Sequence, residues 1–157
     1  MSTHRPRAAK KKYFTAEQAN KMLPLVRSIV RDIVELAADI QRRQAQLVQG
    51  KAAARNGSGD VDDEEGAAQQ MELARDAARI EELVDELREL GVELKGWDGL
   101  VDFPCWMGNR EVYLCWKLDE PEVAHWHEID AGFAGRQKLS ARSEVEADVP
   151  ITAQRGQ

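Results

Sequence analysis

The stretch LVDFPCWMGNREVYLCWKL, residues 100–118, decides the fold class, because two runs of alternating apolar residues flank a short turn. If Gly108 and Asn109 are the central turn residues, every cross-strand pair on one face of the hairpin is apolar. This register predicts an antiparallel hairpin with one face in a core. The pairs are Cys105 with Val112, Phe103 with Leu114, and Val101 with Trp116.

A third strand is predicted downstream of this hairpin, and a fourth is possible upstream. VAHWHEI at 123–129 alternates in the same way, while Glu93 and Leu94 would belong to the fourth strand. The two cysteines point to different faces of the hairpin, which disfavours a disulfide between them. The sequence therefore predicts a small antiparallel meander at about 99–129.

Two registers are open for the third strand, because its loop at 119–122 can be extended or bulged by one residue. A four-residue loop pairs Trp116 with His125 and Leu114 with His127, which puts both histidines on the core face. A bulge or an odd-length loop moves the histidines to the other face. That register alone creates a group of metal-ligand character, formed by His125, His127, Asp102 and Cys115.

The ordinary interpretation of these histidines needs no metal. A buried histidine is commonly satisfied by a backbone carbonyl or by a nearby acid such as Asp130. No cofactor is therefore predicted, and a divalent metal is the minority alternative.

Upstream of Gly91 the apolar period changes from two residues to about 3.5, which predicts helices at about 16–49 and 65–90. Thr15 is the predicted N-cap of the first helix, and Gly91 the stop of the second. Pro24 makes residues 16–22 either a separate turn or a kinked beginning. The glycine-rich stretch at 50–63 predicts a flexible loop.

These elements define an α+β fold in which a long antiparallel helical hairpin packs against a small antiparallel sheet. A single domain is expected at 13–139. It is preceded by a basic disordered arm at 1–12 and followed by a mobile tail at 140–157. The apolar stripes of two helices exceed what one hairpin can enclose, so the sequence predicts a homodimer that self-associates through the hairpin.

Composition excludes several classes of protein. The chain has 157 residues, a net charge of -6 and two cysteines, so a disulfide framework is not expected. It lacks an apolar run long enough for a membrane span or a signal peptide, and the expected location is the cytoplasm. Residues 1–12 carry five bases and no acid, but so short a run argues against specific nucleic-acid binding.

A ligand site is the competing hypothesis, placed in WHEIDAGFAGR at 126–136, inside the most aromatic part of the chain. In that hypothesis glycine amides and an arginine hold a small anion, and Asp130 fixes the tautomer of His127. The structural alternative pairs Asp130 with Arg136 and bonds His127 to main chain. The residues of the hypothetical site are His127, Asp130, Gly132, Gly135 and Arg136, with Trp126 and Phe133 as walls.

The motifs of nucleotide-binding and hydrolytic enzymes are not found, since GxxxxGK[ST], GxGxxG and GxSxG are all missing from the sequence. An interaction module is therefore favoured over an enzyme. The alternative is a protein that binds a small anion or a metal.

Three segments resemble a bacterial family catalogued as domain of unknown function 2203. They are FTAEQANKMLPLV at 14–26, GVELKGWDGLVDFP at 91–104 and REVYLCWKLDEPEVAHWHEIDAGFAGRQKL at 110–139. The resemblance spans roughly residues 13–139 and implies a single domain with a helical hairpin and a short β region. It carries no established activity. His127, Asp130, Gly132, Gly135 and Arg136 fall inside the family-like motif and are the candidates for a shared site.

Overall fold

The fold was analysed in a computed structural model that describes residues 11–55 and 63–140. It contains two helices, α1 (Ala16–Arg55) and α2 (Asp63–Leu90), followed by an antiparallel sheet. The expectations of a basic disordered arm, a flexible loop and a mobile tail lie mostly outside the described residues. The five strands are β1 (Glu93–Gly96), β2 (Leu100–Met107), β3 (Arg110–Lys117), β4 (His125–Glu128) and β5 (Gln137–Lys138).

Helix α1 begins at a capping box. The Gln18 backbone N–H donates to Thr15 Oγ1 at 3.1 Å, and the Thr15 N–H donates to Gln18 Oε1 at 3.0 Å. Pro24 lies within a continuous helix, so the separate turn considered for residues 16–22 does not form. The helix also passes the glycine at position 50 and continues to Arg55, six residues beyond the expected end at 49.

Helix α2 ends where the sequence indicated. Gly91 has φ +92°, and the N–H groups of Gly91 and Val92 donate to the carbonyls of Arg88 and Leu87, each at 3.0 Å. This pair of bonds is a Schellman motif, which satisfies the last carbonyls of the helix. The chain then turns directly into β1.

The sheet has five strands in the order β1-β2-β3-β4-β5, rather than the three or four expected. The missed strand, β5, has only two residues and pairs with β4, so it carries no alternation to detect. The predicted hairpin register is confirmed for all three apolar pairs. These are Val101 with Trp116, Phe103 with Leu114, and Cys105 with Val112.

The structure decides between the two registers that the sequence leaves open for the third strand. Strand β4 pairs Cys115 with His125, Leu114 with Trp126 and Tyr113 with His127, one residue away from the pairing of Trp116 with His125. The connection at 118–124 has an odd number of residues, and its conformation is held by Glu120. Trp126 therefore takes the core face, and both histidines lie on the opposite face.

One face of the sheet packs against the helices. The innermost side chains include Val30 and Ile33 of α1, Leu87 of α2, and Phe103 and Trp116 of the sheet, all fully buried. Burial of this apolar surface is the main stabilising contribution to the fold.

Gly99, in the turn between β1 and β2, occupies a position where a larger residue does not fit. Its φ is +98°, and an added Cβ would lie 2.7 Å from Leu118 Cβ and 3.3 Å from Val30 Cγ1. We expect Gly99→Ala to lower the free energy of unfolding by about 2 kcal/mol, because it combines backbone strain with a clash. Urea denaturation measures this loss.

Gly50→Ala is the matched control for that substitution. Gly50 lies inside α1, and an added Cβ would meet nothing within 4 Å. This change should raise stability by roughly 1 kcal/mol through helix propensity. Equal effects of the two substitutions would contradict the packing described for Gly99.

Candidate functional site

The sheet face that points away from the helices carries a buried carboxyl, a buried thiol and a buried imidazole side by side. Asp102 is 3% exposed, His127 2% and Cys115 0%. They come from three adjacent strands, with Asp102 on β2, Cys115 on β3 and His127 on β4. Asp102 lies directly opposite Cys115, and His127 lies opposite Tyr113, another residue of β3. Their potential ligand atoms all lie within 4.8 Å of one another. We call these three residues the buried trio.

Hydrogen bonds connect the members of the buried trio. His127 Nε2 lies 3.0 Å from Asp102 Oδ1, and the Cys115 thiol forms a hydrogen bond to the Asp102 carboxylate. The other ring nitrogen, His127 Nδ1, lies 2.7 Å from the Glu128 carbonyl oxygen. A carbonyl oxygen only accepts, so Nδ1 carries a proton and Nε2 faces the carboxylate.

Burial governs the ionisation of the trio. It raises the pKa of Asp102, against the opposing effect of the hydrogen bonds from His127 and Cys115. Burial also raises the pKa of the Cys115 thiol to about 12, and the adjacent Asp102 carboxylate adds to this effect. Cys115 is therefore a neutral thiol at pH 7 and is not activated as a nucleophile.

The change in protein stability with alkaline pH tests the raised pKa of the Cys115 thiol. A group whose pKa is higher in the folded state than in the unfolded state contributes its full stabilisation at pH values below its unfolded pKa. That stabilisation is lost as the pH rises through its folded pKa. We expect the urea midpoint of the wild type to fall between pH 9 and about pH 12. Cys115→Ala should flatten part of that fall.

Part of the alkaline fall should persist in Cys115→Ala, because burial also raises the pKa of Tyr113. Cys105→Ala is the control, since Cys105 lies on the opposite, core face of the sheet. Identical pH profiles for the wild type and Cys115→Ala would contradict the account.

His125 was expected as a fourth member of the metal-like group. It does lie on the same face as Cys115, its cross-strand partner. Its ring, however, lies beside Glu120, with Nδ1 3.5 Å from Glu120 Oε2, and it is not part of the group within 4.8 Å. Of the four residues in the sequence hypothesis, the structure brings together Asp102, Cys115 and His127.

The residues of the hypothetical anion site are dispersed. Trp126 packs in the core on the opposite face from His127, and Asp130 is exposed. Both ring nitrogens of His127 are engaged by other groups, so Asp130 does not fix its tautomer; the Glu128 carbonyl does. The N–H groups of Gly135 and Arg136 donate to carbonyls of the same turn, those of Gly132 and Phe133.

Arg136 pairs with Glu120 rather than with Asp130. Its Nη2 donates to both carboxylate oxygens, at 2.6 and 2.8 Å, and its guanidinium lies 4.8 Å from the centre of the Phe133 ring. Phe133, expected as a wall of the site, is half exposed and packs against the guanidinium of this ion pair. Arg136 therefore stabilises the connection at 118–124 through its ion pair with Glu120.

Glu120 is the residue that sequence reasoning missed. Its carboxylate accepts from the Lys117 N–H at 2.7 Å, and its carbonyl accepts from Trp116 Nε1 at 2.9 Å. The sequence DEPE signals only a turn, and nothing in it indicates which acid faces inward. These hydrogen bonds hold the conformation of the loop and hence the strand register that brings the buried trio together.

The chain matches the family described as Uncharacterized conserved protein (DUF2203) over residues 12–139. It belongs to this family. The match includes the helices, the sheet and all three residues of the buried trio. No curated protein and no solved structure matches the chain.

A second feature of this DUF2203 protein is the far end of its helical hairpin. On α1 the last buried apolar residue is Ile33, and on α2 the first is Leu73. We call the part beyond them, residues 34–55 and 63–72, the distal arm. It contains Val48 and Met71, which are 68% and 67% exposed. Neither helix is long and apolar enough, within the described residues, to cross a membrane.

Proposed function

We propose that this DUF2203 protein is an interaction module that self-associates through the distal arm of its helical hairpin. The observation that carries the proposal is the length of helix beyond the core. Helix α1 continues 22 residues past Ile33, from 33 to 55, which is about 33 Å. In proteins most of the stability of a helix comes from tertiary packing of its apolar face rather than from intrinsic propensity.

The inner stripe of the arm is only partly covered by the hairpin itself. Leu36, Ile40 and Leu47 are half-buried in the isolated chain. Contacts between α1 and α2 in this region include an ion pair of Arg43 with Asp76. A second hairpin would cover the remaining apolar surface, as in four-helix bundles.

Charge segregation along the arm favours a second copy as the partner. The α1 part of the arm, residues 34–55, carries four bases and two acids, whereas the α2 part, residues 63–72, carries four acids and no base. These ends already face each other within one hairpin, and a two-fold symmetric dimer in which two hairpins pack side by side can add the same pairing between protomers. The same contact then occurs twice, which suits an isologous interface.

Substitutions on the arm test the proposal. Val48→Glu combined with Met71→Glu should raise the dissociation constant of the dimer at least tenfold, because both place a charge in the interface. Leu25→Glu is the matched control, since Leu25 is also exposed on α1 but lies outside the arm. Sedimentation equilibrium measures the constants, and circular dichroism confirms that each variant is folded.

Two results would contradict self-association through the arm. One is a wild type that is monomeric throughout the micromolar range. The other is a dimer that Leu25→Glu weakens as much as the double arm variant does. A dimer weakened by high salt and by the arm variant alone would support the charge pairing.

A further inference from the structure

We propose that the buried trio is a binding site for a divalent transition metal of the zinc class, with Asp102, Cys115 and His127 as ligands. The site is independent of the distal arm, because it lies on the far face of the sheet. Its three residues sit on β2, β3 and β4, and their ligand atoms all lie within 4.8 Å of one another. Rigid neighbouring strands place them together before any ion arrives.

The donor set selects the kind of metal. A thiol sulfur, an imidazole nitrogen and a carboxylate oxygen are the three ligand types that zinc accepts in proteins, whereas magnesium and calcium prefer oxygen alone. Zinc bonds of about 2.0–2.3 Å in a tetrahedron hold ligand atoms roughly 3.3–3.8 Å apart. The observed distances include this spacing. His127 Nε2 and Asp102 Oδ1 are 3.0 Å apart, and no two ligand atoms of the trio are more than 4.8 Å apart. Small side-chain adjustments therefore suffice.

The orientation of His127 is a second, independent indication. Metal-binding histidines usually donate the hydrogen of one ring nitrogen to a carbonyl or carboxylate, which fixes the other nitrogen toward the ion. In this protein the Glu128 carbonyl accepts the Nδ1 hydrogen at 2.7 Å, and Nε2 faces Asp102. The supporting hydrogen bond is thus already in place.

Charge balance also favours a divalent ion at this buried position. Because Nδ1 donates to a carbonyl, the contact between His127 Nε2 and Asp102 must contain one proton. The Cys115 thiol carries a second proton. A divalent ion that replaces both leaves a carboxylate, a thiolate and a neutral imidazole, so the net charge of the site does not change. Both protons pass to solvent.

Cobalt(II) and zinc titrations of the full-length protein, prepared with chelator, test the proposal. Cobalt should bind one ion per chain and give a near-ultraviolet charge-transfer band from the thiolate. Cys115→Ser should lose that band and bind at least tenfold more weakly. Cys105→Ser is the matched control, because Cys105 is equally buried but lies on the opposite face, and it should bind as the wild type does.

A second variant keeps the test decisive if Cys115→Ser does not fold. Asp102→Asn retains a hydrogen-bonding side chain beside His127 but loses the carboxylate charge. It should keep the charge-transfer band and lower the affinity at least tenfold. A pH indicator should record about two protons released per zinc ion in the wild type, because the thiol and the shared proton are both displaced.

The proposal is overturned if the wild type binds less than one ion per chain. It is also overturned if the band survives in Cys115→Ser, or if Cys105→Ser abolishes it. Metal content and molecular mass are separate measurements, so failure of the metal site would leave the proposed self-association untouched, and the reverse also holds.

Discussion

Replacing Trp116 with alanine should lower the free energy of unfolding by about 4 kcal/mol, the largest loss expected from a single substitution in this protein. Trp116 is fully buried at the centre of the sheet, where it packs between the helices and the neighbouring strands. Its removal leaves a large cavity. It also removes the hydrogen bond from Nε1 to the Glu120 carbonyl at 2.9 Å, which holds the connection to β4.

Trp97→Ala is the control for this measurement, because Trp97 is 60% exposed in the turn between β1 and β2. Its substitution should change stability by no more than about 0.5 kcal/mol. Urea denaturation monitored by far-ultraviolet circular dichroism gives both values. A loss below about 1.5 kcal/mol for Trp116→Ala would contradict its central place in the core.

Asp102→Ala should be the second most damaging change, with an expected loss of about 3 kcal/mol. The substitution leaves His127 Nε2 buried without its partner at 3.0 Å, and breaking a buried pair costs more than the pair contributes. Asp102→Asn should lose only about 1 kcal/mol, because an amide hydrogen can still reach Nε2.

Asp98→Ala provides the comparison for an exposed acid. Asp98 forms a surface ion pair with Lys117 at 3.3 Å, and such pairs contribute about 0–1 kcal/mol. The measurement is again the urea midpoint, taken in the presence of chelator so that metal binding does not contribute. If Asp102→Ala and Asp98→Ala proved equally mild, the buried trio would not be the closed hydrogen-bonded group described above.

The first hairpin could be predicted from sequence because its geometry is local. Gly108, with φ +65°, and Asn109 form a two-residue turn, and a turn of that length leaves one register for the flanking strands. The end of α2 was equally local, since Gly91 alone supplies the conformation that stops the helix.

The register of β4 could not be predicted, because it depends on interactions distant in sequence. Arg136 holds Glu120 across 16 positions of the chain, and Glu120 in turn holds the backbone of Lys117. A shift of one residue decides whether His127 enters the core or meets Asp102. The sequence therefore predicts the candidate site as one of two alternatives, and the conformation of the folded loop selects it.

The end of α1 was missed for a different reason. The glycine at position 50 costs a helix only about 1 kcal/mol, which good helix formers around it can offset. The helix therefore extends to Arg55 and carries the distal arm beyond the core.

Sedimentation equilibrium of the wild-type protein at micromolar concentration tests self-association most directly. The chain has a mass of 17.6 kDa, so a dimer held by the distal arm should sediment at about 35 kDa. Raising the salt concentration should shift the distribution toward the monomer, because opposite charges on the two helices meet in the interface. A single species of 17.6 kDa at every concentration and salt would contradict the account.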